Sequence, residues 1–328
     1  MQIVYLDQNK WIDLSRAVKY PADYPELRTV LEVLVEEAKA GRIVVPLTQT
    51  NIYETHKIND PQRRHDLAYL QATLSQGQVF RGRHKRLEAE VTDVLRGAYG
   101  LEPVEHAPHW FLSNVFFEAT LEWKDPRLVP ISERVMEAIQ KEPPRHLFEY
   151  LMLTPEDVRI TAVARFTEGS DKLRQQIEAR RSRDANESLS MRRRIHSAML
   201  MVNELDLILG FVRNAGLPEQ NETEILRKTC RKIINVAPTY CIEREIALRL
   251  EAQPQPIEEN DLRDMQTFCA VVAYADIVVA ENLFSNLAMQ AGLDKKFETV
   301  VATNLLALPE QLEQLTVDWR HHSQRAVD

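Results

Sequence analysis

Residues 3–6 read Ile-Val-Tyr-Leu and are followed at once by Asp7. A run of β-branched, aromatic and aliphatic residues with no polar alternation suits a strand buried on both faces, as in parallel sheets covered by helices on each side. A carboxylate at the end of such a strand is costly to bury unless it is hydrogen-bonded or faces a cation. Asn9 can turn the chain and cap a helix whose apolar positions are Trp11, Ile12, Leu14 and Ala17, so the local order is strand, carboxylate, helix. In open parallel sheets, ligands bind at the edge formed by the carboxyl ends of the strands. The rest of the chain is therefore expected to bring partners to Asp7.

The alternation continues. Residues 24–41 form an amphipathic helix with Leu27, Val30, Leu31, Leu34 and Val35 inward and Gly41 as its stop; residues 42–46 form a second strand; a helix follows through Ile52, Tyr53, Glu54, His56 and Ile58. Such βα alternation implies right-handed crossovers and a parallel sheet. From about residue 66 to 250 helical periods replace the strand signal. The clearest helix is predicted over 196–212, apolar nearly all round and so a core helix, with Asn203, Glu204 and Asp206 arguing against a membrane span. After the Gln-Pro-Gln-Pro stretch at 253–256 the α/β pattern returns: helix 261–275, strand 277–280, helix 283–291, strand 299–302 and a terminal helix over 309–315 before a polar tail. The expected organisation is one discontinuous α/β domain from residues 1–75 and 255–310, a helical insertion over 76–254, and a helix end and tail over 311–328.

Composition narrows the function. The nine glycines among 328 residues argue against Gly-rich phosphate loops, and Cys230, Cys241 and Cys269 form neither an even set nor a metal-ligand spacing. There is no basic-then-apolar leader and no uncharged run of about 18 residues, so the expectation is a soluble cytoplasmic protein. A net charge of -8 gives no global attraction to nucleic acid, so any polyanion contact needs a local basic patch or bound cations. Walker, G-x-S-x-G and H-E-x-x-H signatures are missing, and His106, His109, His321 and His322 lack a helical ligand frame.

Acidic residues are what remains. Asp7 ends strand one, Glu54 is placed in the first turn after strand two, Asp261 and Asp264 in the first turn of the helix that follows the linker, and Glu281 and Asn282 just past strand 277–280. The topology puts all of them at one sheet edge. Asp276 precedes its strand, and at about 3.3 Å per residue it lies roughly 16 Å from Glu281, so it is a lesser candidate. Facing carboxylates stay ionised at neutral pH only with a cation between them, and hard oxygen donors select Mg²⁺ or Mn²⁺. Such a cluster serves phosphodiester hydrolysis by activating water. Each residue also has a plainer role: Asn51-x-x-Glu54 fits a capping box, and Asp261-x-x-Asp264 fits first-turn carboxylates on a helix dipole.

Ile3-Val4-Tyr5-Leu6-Asp7-Gln8-Asn9, with Thr50 to Glu54 after the second strand, Asp264 near a helix start and Val278-Val279-Ala280-Glu281-Asn282 at a strand end, resembles a PIN domain. The resemblance covers about residues 1–75 and 255–310. It implies an α/β fold with a PIN-like central parallel sheet flanked by helices, here with an inserted, mostly α-helical subdomain. It also implies a Mg²⁺- or Mn²⁺-dependent nuclease, usually acting on RNA. Asp7 matches the family's first acid, Glu54 the second, Asp264 the third and Glu281 or Asn282 the last; Asp261, Asn282 and Asp276 are further possible ligands. The long insertion departs from the compact family pattern, and the resemblance also admits a toxin or defence role.

Residues 171–194 carry eight basic against four acidic side chains. Arg180, Arg181, Arg183, Arg192, Arg193 and Arg194, with Asn9, are candidate contacts to single-stranded RNA, against the alternative of a solvated helix face with pairs such as Arg174 and Glu178. Trp11, Trp110, Trp123 and Trp319 can stack bases or fill the core. The helical insertion is a candidate surface for a protein partner or homodimer. Two other classes compete: a non-catalytic protein-binding module on a degenerate PIN fold, and a phosphatase of the haloacid dehalogenase type with Asp7 as nucleophile, in which Asn9 would replace the second acid.

Overall fold

The computed structural model describes residues 1–120, 133–218 and 221–315. The chain begins with β1 (Gln2–Leu6), α1 (Gln8–Lys19), α2 (Pro25–Lys39), β2 (Ile43–Val44) and α3 (Gln49–Lys57). The middle holds α4 (Pro61–Leu74), β3 (Val79–Phe80), α5 (Arg83–Ala98), β4 (Leu112–Ser113), α6 (Glu133–Lys141), α7 (Pro143–Leu153), α8 (Glu156–Arg183), α9 (Leu189–Asn203), α10 (Leu205–Asn214), α11 (Glu222–Val236) and α12 (Pro238–Ala252). The chain closes with α13 (Glu259–Val271), β5 (Ile277–Val279), α14 (Asn282–Gln290), α15 (Leu293–Phe297) and β6 (Val300–Ala302). A last helical stretch covers 308–315.

The main sheet is parallel throughout, in the order β2-β1-β5-β6, and helices flank it. β1 is central, and this explains its unbroken apolar run. Val4 and Leu6 join one core with Trp11, Leu14 and Leu34, while Ile3 and Tyr5 join the other with Phe268, Val271 and Phe284. From β1 the chain steps to β2 on one side, whereas β5 and β6 lie on the other, so the strand order reverses between β1 and β5. A crevice opens outside the carboxyl ends of the strands at such a reversal. Leu6 pairs with Val279 across it, and the Asp7 N–H donates to the Val279 carbonyl at 2.9 Å.

Several expected boundaries differ. The helix after β1 starts at Gln8 with Asp7, not Asn9, as its N-cap. The helix expected to open at 261 starts at Glu259, and α3 starts at Gln49, so Asp264 and Glu54 are each the sixth helical residue rather than first-turn residues. The capping box of α3 joins Thr48 to Asn51 and does not use Glu54. The middle segment, expected to be mostly helical, also holds an antiparallel pair, β3 with β4.

The helix predicted over 196–212 is two helices, bent by 66° at Glu204. α10 turns Leu207, Ile208, Phe211 and Val212 into a core with Leu87, Val91 and Leu95 of α5, while α9 leaves Val202 73% exposed. Leu200 and Met201 of α9 pack on the same core, so the bend brings both helices onto it. Among the described residues no single helix is long and apolar enough to cross a membrane, though the bent pair α9–α10 has the length and composition. The long middle segment shares its cores with the sheet: Leu147 and Leu151 of α7 belong to the same core as β1's Val4, and Ile177, Ile242 and Ile246 to the same core as Tyr5. α12 touches α5, α8, α9, α11, α13 and α14, so it is buried nearly all round.

Candidate active site

Asp7 sits at the crevice because β1 ends there and α1 begins. It is 8% exposed, and its Oδ1 accepts the Gln8 N–H at 2.8 Å. Burial raises its proton affinity, the Gln8 N–H lowers it, and Glu281 raises it again. Glu281 is the N-cap residue of α14, two residues past β5 on the other side of the crevice, and its Oε1 accepts a hydrogen bond from Asn9 Nδ2. Asn9 thus ties the first helix to the end of β5.

The other two carboxylates come from helices that pack together, α3 and α13. Thr50 and Thr267 are hydrogen-bonded at 2.8 Å, and one turn along each helix, about 5.4 Å, stand Glu54 and Asp264. Glu54 is pushed up to about 7, first by burial and then by Asp7 and Glu281, with Arg263 and Lys57 pulling it down. Asp264 is pushed up to about 8, by burial and then by Asp7, Glu281, Glu54 and Asp261. Four carboxylates from four segments therefore share one electrostatic environment.

The lesser candidates separate from this group. Asp276 Oδ2 accepts the Ile3 N–H at 2.6 Å at the opposite end of β5, where it pins the sheet rather than facing the crevice. Asp261 adds charge near Asp264, but its Oδ2 accepts the Glu258 N–H at 2.8 Å, which is helix capping. Asn282 opens α14 and is exposed.

As donors the four carboxylates match a hard divalent cation in atom type and charge. Two of them hold protons near neutral pH when only the protein's own charges surround them, and a cation would restore their ionisation. Among the described residues, however, no three His, Cys, Asp or Glu side chains converge closely enough to hold one ion as they stand. Side-chain rotation would have to complete such a site.

Two features escaped the sequence reading. Behind Asp7 and Glu54 lies a buried polar network. Gln8 Nε2 donates to Thr55 Oγ1 at 3.1 Å, Asn51 and Gln71 amides donate to Gln8 Oε1 at 3.2 and 3.1 Å, and Thr55 Oγ1 donates to Gln71 Oε1 at 2.8 Å. This network locks α1, α3 and α4 together beside two of the acids; its partners lie 16 to 63 positions apart, so no local pattern points to it. The second feature is Arg263, 4% exposed, with Nη1 3.7 Å from Glu54 Oε1.

The arginine run has a different setting. Arg180 and Arg192 reach Glu251 of α12 at 2.6 and 3.3 Å, Arg193 reaches Glu245 at 2.9 Å, and Arg181 donates to the carbonyls of Leu250, Glu251 and Gln255. Arg183 pairs with Asp184 at 2.6 Å, and Arg194 is exposed. Arg174 pairs with Asp171 instead of Glu178. Most of the run thus joins α8 and α9 to α12. Trp11 is fully buried and Trp110 packs on Phe111 and Tyr274; Trp123, Trp319, His321, His322 and the tail lie outside the described residues.

A cavity of about 500 Å³ opens between α3, α5, α8, α9, α12 and α13, reaching Thr50 and Thr267. None of the four carboxylates lines it.

The fold defines the chain as a mixed α/β protein with a parallel sheet and a carboxylate-lined switch point. No protein-family model, curated protein or solved structure gives a match to it.

Proposed function

We propose that this chain is a PIN-like, divalent-cation-dependent endonuclease that hydrolyses phosphodiester bonds, with RNA as the expected polymer. One observation carries the reading: Asp7, Glu54, Asp264 and Glu281 gather at the reversal of strand order, and the first three have raised proton affinities to which neighbouring carboxylates contribute. Binding and catalytic sites are where such mutual perturbation clusters. When bound, Mg²⁺ or Mn²⁺ supplies a water of lowered pKa and charge for the leaving oxygen. The chain's own part is to hold the four acids, to fix Glu281 through Asn9, and to fix the Asp7 and Glu54 backbones through the Gln8 network. Free Cys230, Cys241 and Cys269 support a reducing cytoplasm as the place of action.

The test is cleavage of end-labelled single-stranded RNA and DNA by wild type and Asp7→Asn, each with Mg²⁺, Mn²⁺ or EDTA. The expected result is cutting that needs metal, prefers RNA and disappears in the variant. Equal cutting by Asp7→Asn overturns the assignment. No cutting together with no melting-temperature response to Mn²⁺ favours the non-catalytic, protein-binding reading instead.

A further inference from the structure

We propose that Arg263 is a latch on Glu54, an internal cation that holds this carboxylate away from the other three until a divalent ion displaces it. The inference rests on reading the crevice as a cation site. Arg263 is 4% exposed, and Glu54 is the carboxylate with which it forms an ion pair. At 3.7 Å that contact is longer than the 2.7–2.9 Å or so of a strong charge-assisted hydrogen bond, so it draws Glu54 without clamping it. Nε of Arg263 is buried and has no hydrogen-bond partner. A guanidinium so placed depends on whatever negative charge is in reach.

Its position is set from behind. The guanidinium lies over the Tyr53 ring, 5.4 Å from the centroid. Tyr53 in turn packs on Phe166 of α8 with ring centroids 4.3 Å apart, and its hydroxyl lies 3.4 Å from both Thr167 Oγ1 and Glu259 Oε1. Arg263 therefore cannot follow Glu54 toward the crevice, and Glu54 cannot serve both partners at full strength. Glu54 is thereby kept from joining Asp7, Asp264 and Glu281, which must themselves rotate to meet on one ion. Arg263 and the divalent ion compete for Glu54, so each lowers the other's hold on it by the same factor. α8 supports the latch, which links the helical layer to the crevice.

Mn²⁺ titration by calorimetry, with thermal melts at fixed Mn²⁺, reads the competition without relying on catalysis. Arg263→Gln should bind Mn²⁺ about tenfold more tightly than wild type. Arg263→Lys, which keeps the charge, should stay near wild type. Phe166→Ala, which loosens the support under Tyr53, should shift affinity in the same direction by a smaller factor, and circular dichroism checks that each variant is folded. Unchanged or weaker Mn²⁺ binding by folded Arg263→Gln, with wild-type binding intact and lost in Asp7→Asn, overturns the latch and leaves the cation site standing. Absence of Mn²⁺ binding by wild type overturns both.

Discussion

At the seam between α8, α9 and α12 each buried charge meets its opposite, whereas at the carboxyl edge of the sheet like charges meet one another. Glu251 is 2% exposed at its side chain and receives Arg180 and Arg192; Glu245 receives Arg193, Arg244 and Arg249. Arg193, Arg249 and Arg244 together hold the Glu245 carboxyl down at about 2 despite its burial. At the crevice, the buried Arg263 pairs with Glu54, and Glu54 and Asp264 still rise to about 7 and 8. Charge that is compensated within the chain joins helices. Charge left uncompensated is what the proposed cation site rests on.

The largest effect tests the first half of that contrast. Glu251→Ala leaves Arg180 and Arg192 in a buried site without their carboxylate, and breaking a buried pair from one side costs about 3–5 kcal/mol. A fall of several degrees in melting temperature, followed by circular dichroism, is the expected outcome. A variant that melts like wild type would remove the claim that the arginine run is structural.

At the crevice the sign reverses. Asp264 has a folded-state pKa raised from 3.8 to about 8, so its contribution to stability is complete below about pH 4 and is lost as pH climbs toward 8. Asp264→Asn keeps the shape and removes that loss. In the absence of divalent ions it should be more stable than wild type at pH 8 by at least about 1 kcal/mol, with no difference near pH 4. The same variant should lose most of the stabilisation that Mn²⁺ gives the wild type. A destabilised Asp264→Asn at pH 8 would mean the carboxylate is satisfied within the protein, and the two regions would no longer differ.

What could be read from the sequence follows the same division. Asp7 was legible because its cause is local: a strand apolar on both faces must end somewhere, and the end faces the ligand edge. Glu54, Asp264 and Glu281 were legible through topology, even though both helices start two residues or more earlier than expected. Their caps are made by Thr48 with Asn51 and by Asp261 with Glu258, which leaves the second-turn acids free. The partners of the arginine run were not legible. Glu245 and Glu251 lie 52 to 71 positions away, outside any window in which local charge pairing can be judged. Arg263 is not legible for a related reason: beside Asp264 on one helix it looks like ordinary charge alternation, and only the approach of α3 to α13 brings it to Glu54.

The acid limb of the stability curve separates the regions a second time. His196, next to Arg180 and Arg244 in the seam, is held down at about 3 by burial and then by those two cations. Its contribution is present above its ordinary value of about 6.5 and is lost as pH falls toward 3, as is that of Glu245 below its ordinary 4.5 or so. Melting curves from pH 3 to 9 should therefore fall on both sides, with Mn²⁺ or Asp264→Asn flattening the alkaline side alone. His196→Gln should reduce the acid fall by about 1 kcal/mol near pH 5. If Mn²⁺ altered the acid limb equally, the seam and the crevice would be one coupled system rather than two.

The smallest effect concerns Arg194, which is exposed and forms no ion pair among the described residues. Arg194→Ala should change stability by no more than about 0.5 kcal/mol, because no buried carboxylate depends on it. That makes it the cleanest probe of RNA contact in the run, since its neighbours cannot be removed without disturbing the seam. A phosphate contact at Arg194 would lower the slope of log affinity against log salt by about 1 and weaken binding evenly across sequences. An unchanged slope would confine the basic run to holding α8 and α9 against α12. The polyanion would then be held through the carboxylate edge and its cation, as the chain's net charge of -8 leads one to expect.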